Sequence, residues 1–119
     1  MLAEIGRVLR PGGRLVVDIV HRDQLLRIFR EQDWQALGEG RLLLEQRTFE
    51  PIAGVAQVTQ TLVETSGARE SRTFSVRVYT VTELLAMLAR AGFTDARCHG
   101  DLDGGPFDTG TRLVIAAQR

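Results

Sequence analysis

Three side chains that can bind or activate a small molecule occupy favourable places in this sequence: His21, Arg77 and Tyr79. His21 directly follows the apolar run Leu15–Val20, and open α/β sheets bind ligands at the carboxyl ends of such strands. Arg77 and Tyr79 alternate with apolar residues, so both belong to the polar face of a later strand. There a guanidinium and a phenol can hold an anionic or hydroxylated molecule. We predict that these three residues bind a small-molecule substrate.

Structural roles compete with this prediction, and the sequence leaves both open. Tyr79 directly precedes Thr80–Glu83, which has the pattern of a helix capping box, and its ring could pack against Leu84 as a hydrophobic staple. Asp18 is the only polar residue within Leu15–Val20. Because an unpaired buried carboxylate is costly, we expect Asp18 to meet an arginine, a helix N-terminus or water.

The carboxylates near the C-terminus are poor candidates for a metal site. Asp101, Asp103 and Asp108 lie in a glycine-rich loop, but an EF-hand needs a carboxylate at its twelfth position, where this loop has Arg112. The two histidines of the chain are not spaced as metal ligands either. We therefore expect no bound metal.

The overall composition excludes several classes of partner. The 119 residues include 15 basic and 15 acidic side chains, so no net charge attracts nucleic acid or an anionic membrane. No apolar run is long enough to span a bilayer. Cys98 is the only cysteine, which excludes an internal disulfide and fits the reducing cytoplasm, where we expect the protein. All basic residues are Arg, which we attribute to the codon bias of a GC-rich bacterial genome.

The elements that must position these residues begin with a helix and a strand. Apolar residues at helical spacing predict a helix over residues 2–10, and Pro11-Gly12-Gly13 ends it. The nearly continuous β-branched run over residues 14–20 is typical of a strand that is buried on both faces. A helix followed by such a strand indicates an α/β layer.

In the middle of the chain the spacing of the apolar residues changes from the helical period to the alternation that is typical of strands. We expect a helix over residues 23–32, with Trp34 and Leu37 folding back as a plug. Three strands are then predicted, and the short turns between them imply antiparallel hairpins: 41–50, 55–64 and 71–79. The third of these strands has one apolar and one polar face, which predicts a half-buried strand.

The last third of the chain predicts one helix and two strands. The capping box at Thr80–Glu83 begins a helix that ends at Gly92. A strand follows over residues 93–99, then a glycine-rich loop, and a final strand covers residues 112–118.

In this order the elements resemble the class I S-adenosylmethionine-dependent methyltransferases. Leu2–Asp18 resembles the helix, Pro-Gly-Gly turn and fifth strand of that family. Val78–Leu85 followed by Arg90–Phe93 is similar to its late helix, and Gly100–Asp108 followed by Thr111–Ala116 resembles its closing loop and seventh strand. The hairpin strands look like the lid-like insertion that small-molecule members carry after the fifth strand.

The resemblance implies an α/β fold that is a truncated form of the Rossmann-like methyltransferase sheet. The expected strand order is fifth–seventh–sixth, with the last strand antiparallel, helices alongside, and a separate small antiparallel sheet. We expect a single domain over residues 1–119 that includes an antiparallel lid-like insertion at 41–79. The implied parent function is methyl transfer to a small acceptor. This half of the enzyme would supply part of the acceptor pocket and its lid, and no catalytic residue is assigned.

The family's cofactor-binding residues have no counterpart in this sequence. The family binds S-adenosylmethionine with a glycine-rich loop after its first strand and an acidic residue at the end of its second, and no acidic-x-Gly-x-Gly-x-Gly motif is present here. We therefore expect S-adenosylmethionine in the complete enzyme, and neither cofactor binding nor activity in this chain alone. The strand at Leu15–Val20 would keep an unpaired edge, which predicts a homodimer or a complex with the missing N-terminal half.

Three interpretations of the sequence remain open. The sequence could be a fragment, or a mis-started reading frame, of a full methyltransferase. It could be a natural half that works with a separate N-terminal chain. It could also be a non-catalytic ligand-binding or dimerisation module derived from the methyltransferase fold.

Overall fold

The chain folds into two compact units, which a computed structural model describes over residues 2–119. The first unit contains the residues up to Ile28 together with Tyr79–Arg119, and the second contains Phe29–Val78. The elements of the first unit are α1 (Leu2–Val8), β1 (Arg14–Ile19), α2 (Arg22–Ile28), α3 (Val81–Arg90), β6 (Thr94–His99) and β7 (Leu113–Gln118). Those of the second are β2 (Gln32–Gly38), β3 (Arg41–Glu50), β4 (Val55–Val63) and β5 (Arg69–Arg77).

The first unit is built on a three-stranded sheet in the order β1-β7-β6. The central strand β7 is antiparallel to both of its neighbours. This order confirms the predicted arrangement fifth–seventh–sixth, with β1, β7 and β6 in those three places. The core of the unit consists of side chains from α3 and β7 together with Phe93, which lies three residues after the end of α3: Leu84, Leu88, Phe93, Leu113, Ile115 and Ala117.

The expectation that β1 is buried on both faces is wrong. Leu15, Val17 and Ile19 pack against the core, whereas the residues between them face outward and Val16 is 58% exposed. The β-branched run reflects high strand propensity, and only one of its faces is packed within residues 2–119. Because β1 pairs only with β7 in the described chain, it is also an edge strand of its sheet.

The second unit is a four-stranded antiparallel sheet in the order β2-β3-β4-β5. The three predicted hairpin strands are confirmed as β3, β4 and β5. Along β5 every residue is exposed, with Phe74 at 38% and Val76 at 45%, so the prediction of a half-buried strand is wrong.

The sheet has one strand more than predicted, because the segment after α2 is extended. The helix ends at Ile28 instead of continuing to residue 32, and β2 follows it. Trp34 pairs across the ladder with Leu44 and is 66% exposed, so it is not a plug. A turn with positive φ at Gly38, Glu39 and Gly40 closes a tight β2–β3 hairpin, and this pairing outweighs the helical period of the sequence.

The capping box of α3 is confirmed in both of its hydrogen bonds. The Glu83 backbone N–H donates to Thr80 Oγ1 at 3.2 Å, and the Thr80 N–H donates to Glu83 Oε1 at 3.0 Å. At the other end the helix stops as predicted, with Gly92 at φ +90° just after Ala91. No helix among residues 2–119 is long and apolar enough to cross a membrane.

We expect Thr80→Ala to lower the free energy of unfolding by about 1 kcal/mol, because it leaves one N-terminal amide of α3 without its acceptor. Thr80→Ser is the matched control, since it keeps the hydroxyl and should retain most of the stability. Urea unfolding followed by circular dichroism measures both variants. Equal stability of Thr80→Ala and the parent chain would contradict this role of the cap.

Candidate functional site

His21 lies two residues after the end of β1 and is completely buried. Its Nε2 lies 2.8 Å from the carbonyl oxygen of Thr111, and because a carbonyl only accepts, Nε2 must carry the proton. The ring also contacts Phe107, with centroids 5.0 Å apart and planes tilted by 55°. Nδ1 is buried and has no hydrogen-bond partner within the described residues. In the neutral ring this atom presents a lone pair that the protein leaves unused.

The loop before β7 is fixed to the same end of β1 by two further contacts. Arg112 Nε donates to Asp18 Oδ1 at 2.8 Å, so arginine is the one of the three expected partners that Asp18 meets, although its carboxylate is exposed and not buried as expected. Arg27 of α2 donates to Thr109 Oγ1 at 3.1 Å. The loop before β7 and the carboxyl end of β1 are therefore joined in one corner of the first unit, which we call the β1 corner: Asp18, His21, Phe107, Thr111 and Arg112.

The aspartates of this loop stabilise its turns. Asp101 Oδ1 accepts backbone N–H groups of Asp103 at 2.9 Å and of Gly105 at 2.8 Å. Hydrogen bonds hold the pKa of the Asp108 carboxyl below its usual value. The bond from the Gly110 backbone has the largest effect, and the bond from the Thr109 hydroxyl the next largest. Among residues 2–119 no three His, Cys, Asp or Glu side chains are grouped so that they could hold a metal ion.

Tyr79 belongs to the first unit, and its backbone is hydrogen-bonded to Arg22, the residue after His21. Its carbonyl accepts the backbone N–H of Arg22 at 2.9 Å, which ties the start of α2 to the start of α3. Its side chain packs against the core cluster that contains Leu84, the environment expected for a hydrophobic staple. The structure thus brings His21 and Tyr79 to one end of the first unit.

Arg77 belongs to the second unit, at the end of β5. Its guanidinium donates to the carbonyl of Ala53, and its backbone pairs with Val55. Gly54 is buried with φ +67°, and a Cβ at this position would collide with the Arg77 guanidinium. Arg77 therefore stabilises the β3–β4 turn, and its substrate-binding role stays a prediction.

The partners of His21 are the residues that the sequence analysis missed. Thr111 and Phe107 lie about ninety positions along the chain, so no local pattern connects them to His21. The β1–β7 register carries the missing signal: Ile19 is opposite Leu113, and continuing the ladder by two residues places Thr111 opposite His21. A register for the predicted strand pair would have revealed this contact.

Cys98 on β6 is partly buried and packs against the core of the first unit. Desolvation by burial raises the pKa of its thiol, so the neutral form prevails at physiological pH. Because the thiolate is the nucleophilic form, this environment favours a packing role for Cys98 over a reactive one.

No protein-family model matches the sequence, and no curated protein is significantly similar to it. Solved structures are more informative. The CcbJ methyltransferase from Streptomyces caelestis superposes with a TM-score of 0.81 at 20% identity, over 98% of this chain and 50% of that one. An S-adenosylmethionine-dependent methyltransferase from Clostridium acetobutylicum superposes with a TM-score of 0.77 at 11% identity, over 98% of this chain and 48% of that one.

A third similar structure is an S-adenosylmethionine-bound amino pentose methyltransferase from Micromonospora echinaspora. It has a TM-score of 0.62 and 21% identity, over 99% of this chain and 49% of that one. The chain thus spans about half the length of the structures it resembles. Together with the sheet order β1-β7-β6, these likenesses show that the chain has the fold of the C-terminal half of a class I S-adenosylmethionine-dependent methyltransferase.

Proposed function

We propose that this chain is the C-terminal half of an S-adenosylmethionine-dependent methyltransferase, and that it supplies part of the acceptor pocket and its cover. The observation that carries the proposal is the close structural likeness to the CcbJ methyltransferase over nearly the whole of this chain. Among the similar structures, one is described as an amino pentose methyltransferase. This supports a small acceptor that bears amine or hydroxyl groups.

The cofactor itself does not fit the residues of this chain. Gly12 and Gly13, which lead into β1, use their backbone N–H groups internally, since Gly12 donates to the carbonyl of Arg119 and Gly13 to that of Arg10. The sequence also lacks the glycine-rich motif that the family uses. We therefore assign no residue of this chain to S-adenosylmethionine and propose that the other half of the enzyme binds it.

The role of this half is to position the acceptor. S-adenosylmethionine supplies a methyl group that is already activated, so such enzymes gain most from holding the acceptor in line with it. In this proposal His21 and Tyr79 act from the end of the first unit, and Arg77 acts from the end of β5. The Nε2 of His21 keeps the loop at Thr111 in place, and its unpartnered Nδ1 is the ring atom left for the acceptor, which must reach it by displacing the groups that bury it in this chain.

The reading frame upstream of Met1 tests this proposal against its alternatives. An in-frame sequence that encodes the glycine-rich loop supports a single longer enzyme, and a separate upstream gene that encodes it supports an enzyme of two chains. The assembled halves should then transfer a labelled methyl group from S-adenosylmethionine to an amine-bearing or hydroxylated acceptor. Absence of both sequences would favour a non-catalytic dimerisation module, an alternative that the free edge of β1 supports.

In the assembled enzyme we expect Arg77→Ala and His21→Ala each to lower kcat/KM at least about tenfold, the equivalent of about 1.4 kcal/mol for a directly bonded group. Tyr79→Phe removes only the hydroxyl and keeps the packing of the ring. Arg69→Ala, on the same strand and face as Arg77, is the matched control for charge. If Arg77→Ala, His21→Ala and Tyr79→Phe all keep the kcat/KM of the parent enzyme, the acceptor pocket lies elsewhere.

Because His21 is buried, its substitution also tests the fold. His21→Gln can keep a donor to the Thr111 carbonyl while it removes the Nδ1 lone pair. We therefore expect His21→Gln to retain more stability than His21→Ala but to lose a similar part of kcat/KM. Full activity of His21→Gln would show that only the contact with Thr111 matters.

A further inference from the structure

One face of the β2–β5 sheet holds a groove of about 430 Å³, a volume within the range of small-molecule sites. We call it the sheet groove. Its walls combine three leucines from three strands with four polar residues: Leu37, Leu43, Leu62, Gln60, Glu70, Ser71 and Arg72. Leu43 and Leu62 are directly opposite each other in the β3–β4 ladder and form its apolar floor.

A hydrogen bond and a ring contact orient the guanidinium of Arg72 at the polar side of this groove. Its Nε donates to Gln60 Oε1 at 2.9 Å, and Gln60 Nε2 in turn lies 3.5 Å from Glu45 Oε2. The guanidinium carbon is also 5.8 Å from the centre of the Phe74 ring, which adds a cation–π contact. Within residues 2–119 the two terminal nitrogens of Arg72 donate no hydrogen bond, and these are the atoms that bind a carboxylate in a bidentate ion pair.

Glu70 provides the opposite charge on the same wall. It lies two residues before Arg72, so both side chains project from the same face of β5, about 7 Å apart along the strand. The two side chains form no ion pair with each other, and no described residue makes a hydrogen bond or ion pair with the Glu70 carboxylate. An unpaired carboxylate and a partly unpaired guanidinium therefore border one apolar floor.

We propose that the sheet groove binds a small zwitterionic molecule with an apolar body, as in an amino acid that has a large apolar side chain. Its anionic group meets the terminal nitrogens of Arg72, its cationic group meets Glu70, and its apolar body covers Leu43 and Leu62. A ligand with a single charge would leave one of the two protein charges beside a group of like charge or without a partner. The site does not depend on the methyl transfer proposed above.

A titration of the ¹⁵N-labelled 119-residue chain, followed by amide chemical shifts, tests this site with three probes that share an indole ring. L-Tryptophan has both charges, indole-3-propionate has only the negative charge, and tryptamine has only the positive one. We expect saturable shifts at the groove residues of β3, β4 and β5, with L-tryptophan bound at least about fivefold more tightly than either other probe. Equal affinity for all three probes, or no saturable shift in the groove, would overturn the proposal.

Two variants separate the charges, and a third serves as the control. Arg72→Gln should weaken binding of L-tryptophan and indole-3-propionate about fivefold or more but leave tryptamine unaffected, while Glu70→Gln should show the opposite selectivity. Arg69→Gln removes a charge from the opposite face of β5 and should change none of the affinities. If Arg69→Gln has the same effect as Arg72→Gln, the probes respond to overall charge and the site is refuted.

Discussion

Titration of S-adenosylmethionine into the 119-residue chain is expected to release no saturable heat at cofactor concentrations up to the millimolar range. A micromolar dissociation constant corresponds to about −8 kcal/mol of binding free energy, which requires a built site for the charged parts of the cofactor. The glycine pair at Gly12 and Gly13 is not such a site, because both amides are hydrogen-bonded within the chain. This is the largest effect we expect on binding.

The control for this experiment is the folded state of the chain. The capped helix α3 and the two sheets should give a cooperative unfolding transition under the conditions of the titration, so that a flat isotherm reports on a folded protein. Addition of the proposed N-terminal half should then restore saturable heat. A micromolar isotherm from the 119-residue chain alone would mean that residues outside the family's usual motif bind the cofactor.

Local signals in the sequence predicted both ends of α3 and the three hairpin strands β3, β4 and β5 well. The capping box at Thr80 and the left-handed Gly92 are short-range features, whose hydrogen bonds join residues within one turn, and both are confirmed. Strand β2 was missed because its helical spacing of apolar residues competes with a hairpin turn at Gly38–Gly40. The pairing with β3 decides that competition, and it is a tertiary effect.

The β1 corner shows where sequence reasoning stopped. The sequence indicated that Asp18 would need an arginine, a helix N-terminus or water, on the premise that its carboxylate is buried. Asp18 instead faces outward on β1 and pairs with Arg112 at the surface. The sequence did not identify Arg112, nor Thr111 as the partner of His21, because both contacts depend on the register of β1 against β7. The sheet groove was missed for the same reason, since its walls come from different strands.

The free edge of β1 predicts that the chain associates, either with itself or with the other half of the enzyme. Within residues 2–119 this strand pairs only with β7, so its second edge presents backbone donors and acceptors without a strand partner. Val16 adds exposed apolar surface beside that edge. Such edges promote pairing between chains unless something covers them, and the buried apolar area contributes roughly 25 cal/mol per Å² before association costs.

Light scattering coupled to size exclusion at micromolar concentration should therefore show a homodimer or larger species for the isolated chain. Val16→Lys should shift the chain toward the monomer, because in a two-fold dimer each substitution occurs twice and brings like charges together. Val16→Thr keeps the β-branched shape without the charge and is the matched control. Val17 is unsuitable for this test, since it packs against the core and a lysine there would unfold the unit. A monodisperse parent chain at monomer mass would refute association through this edge.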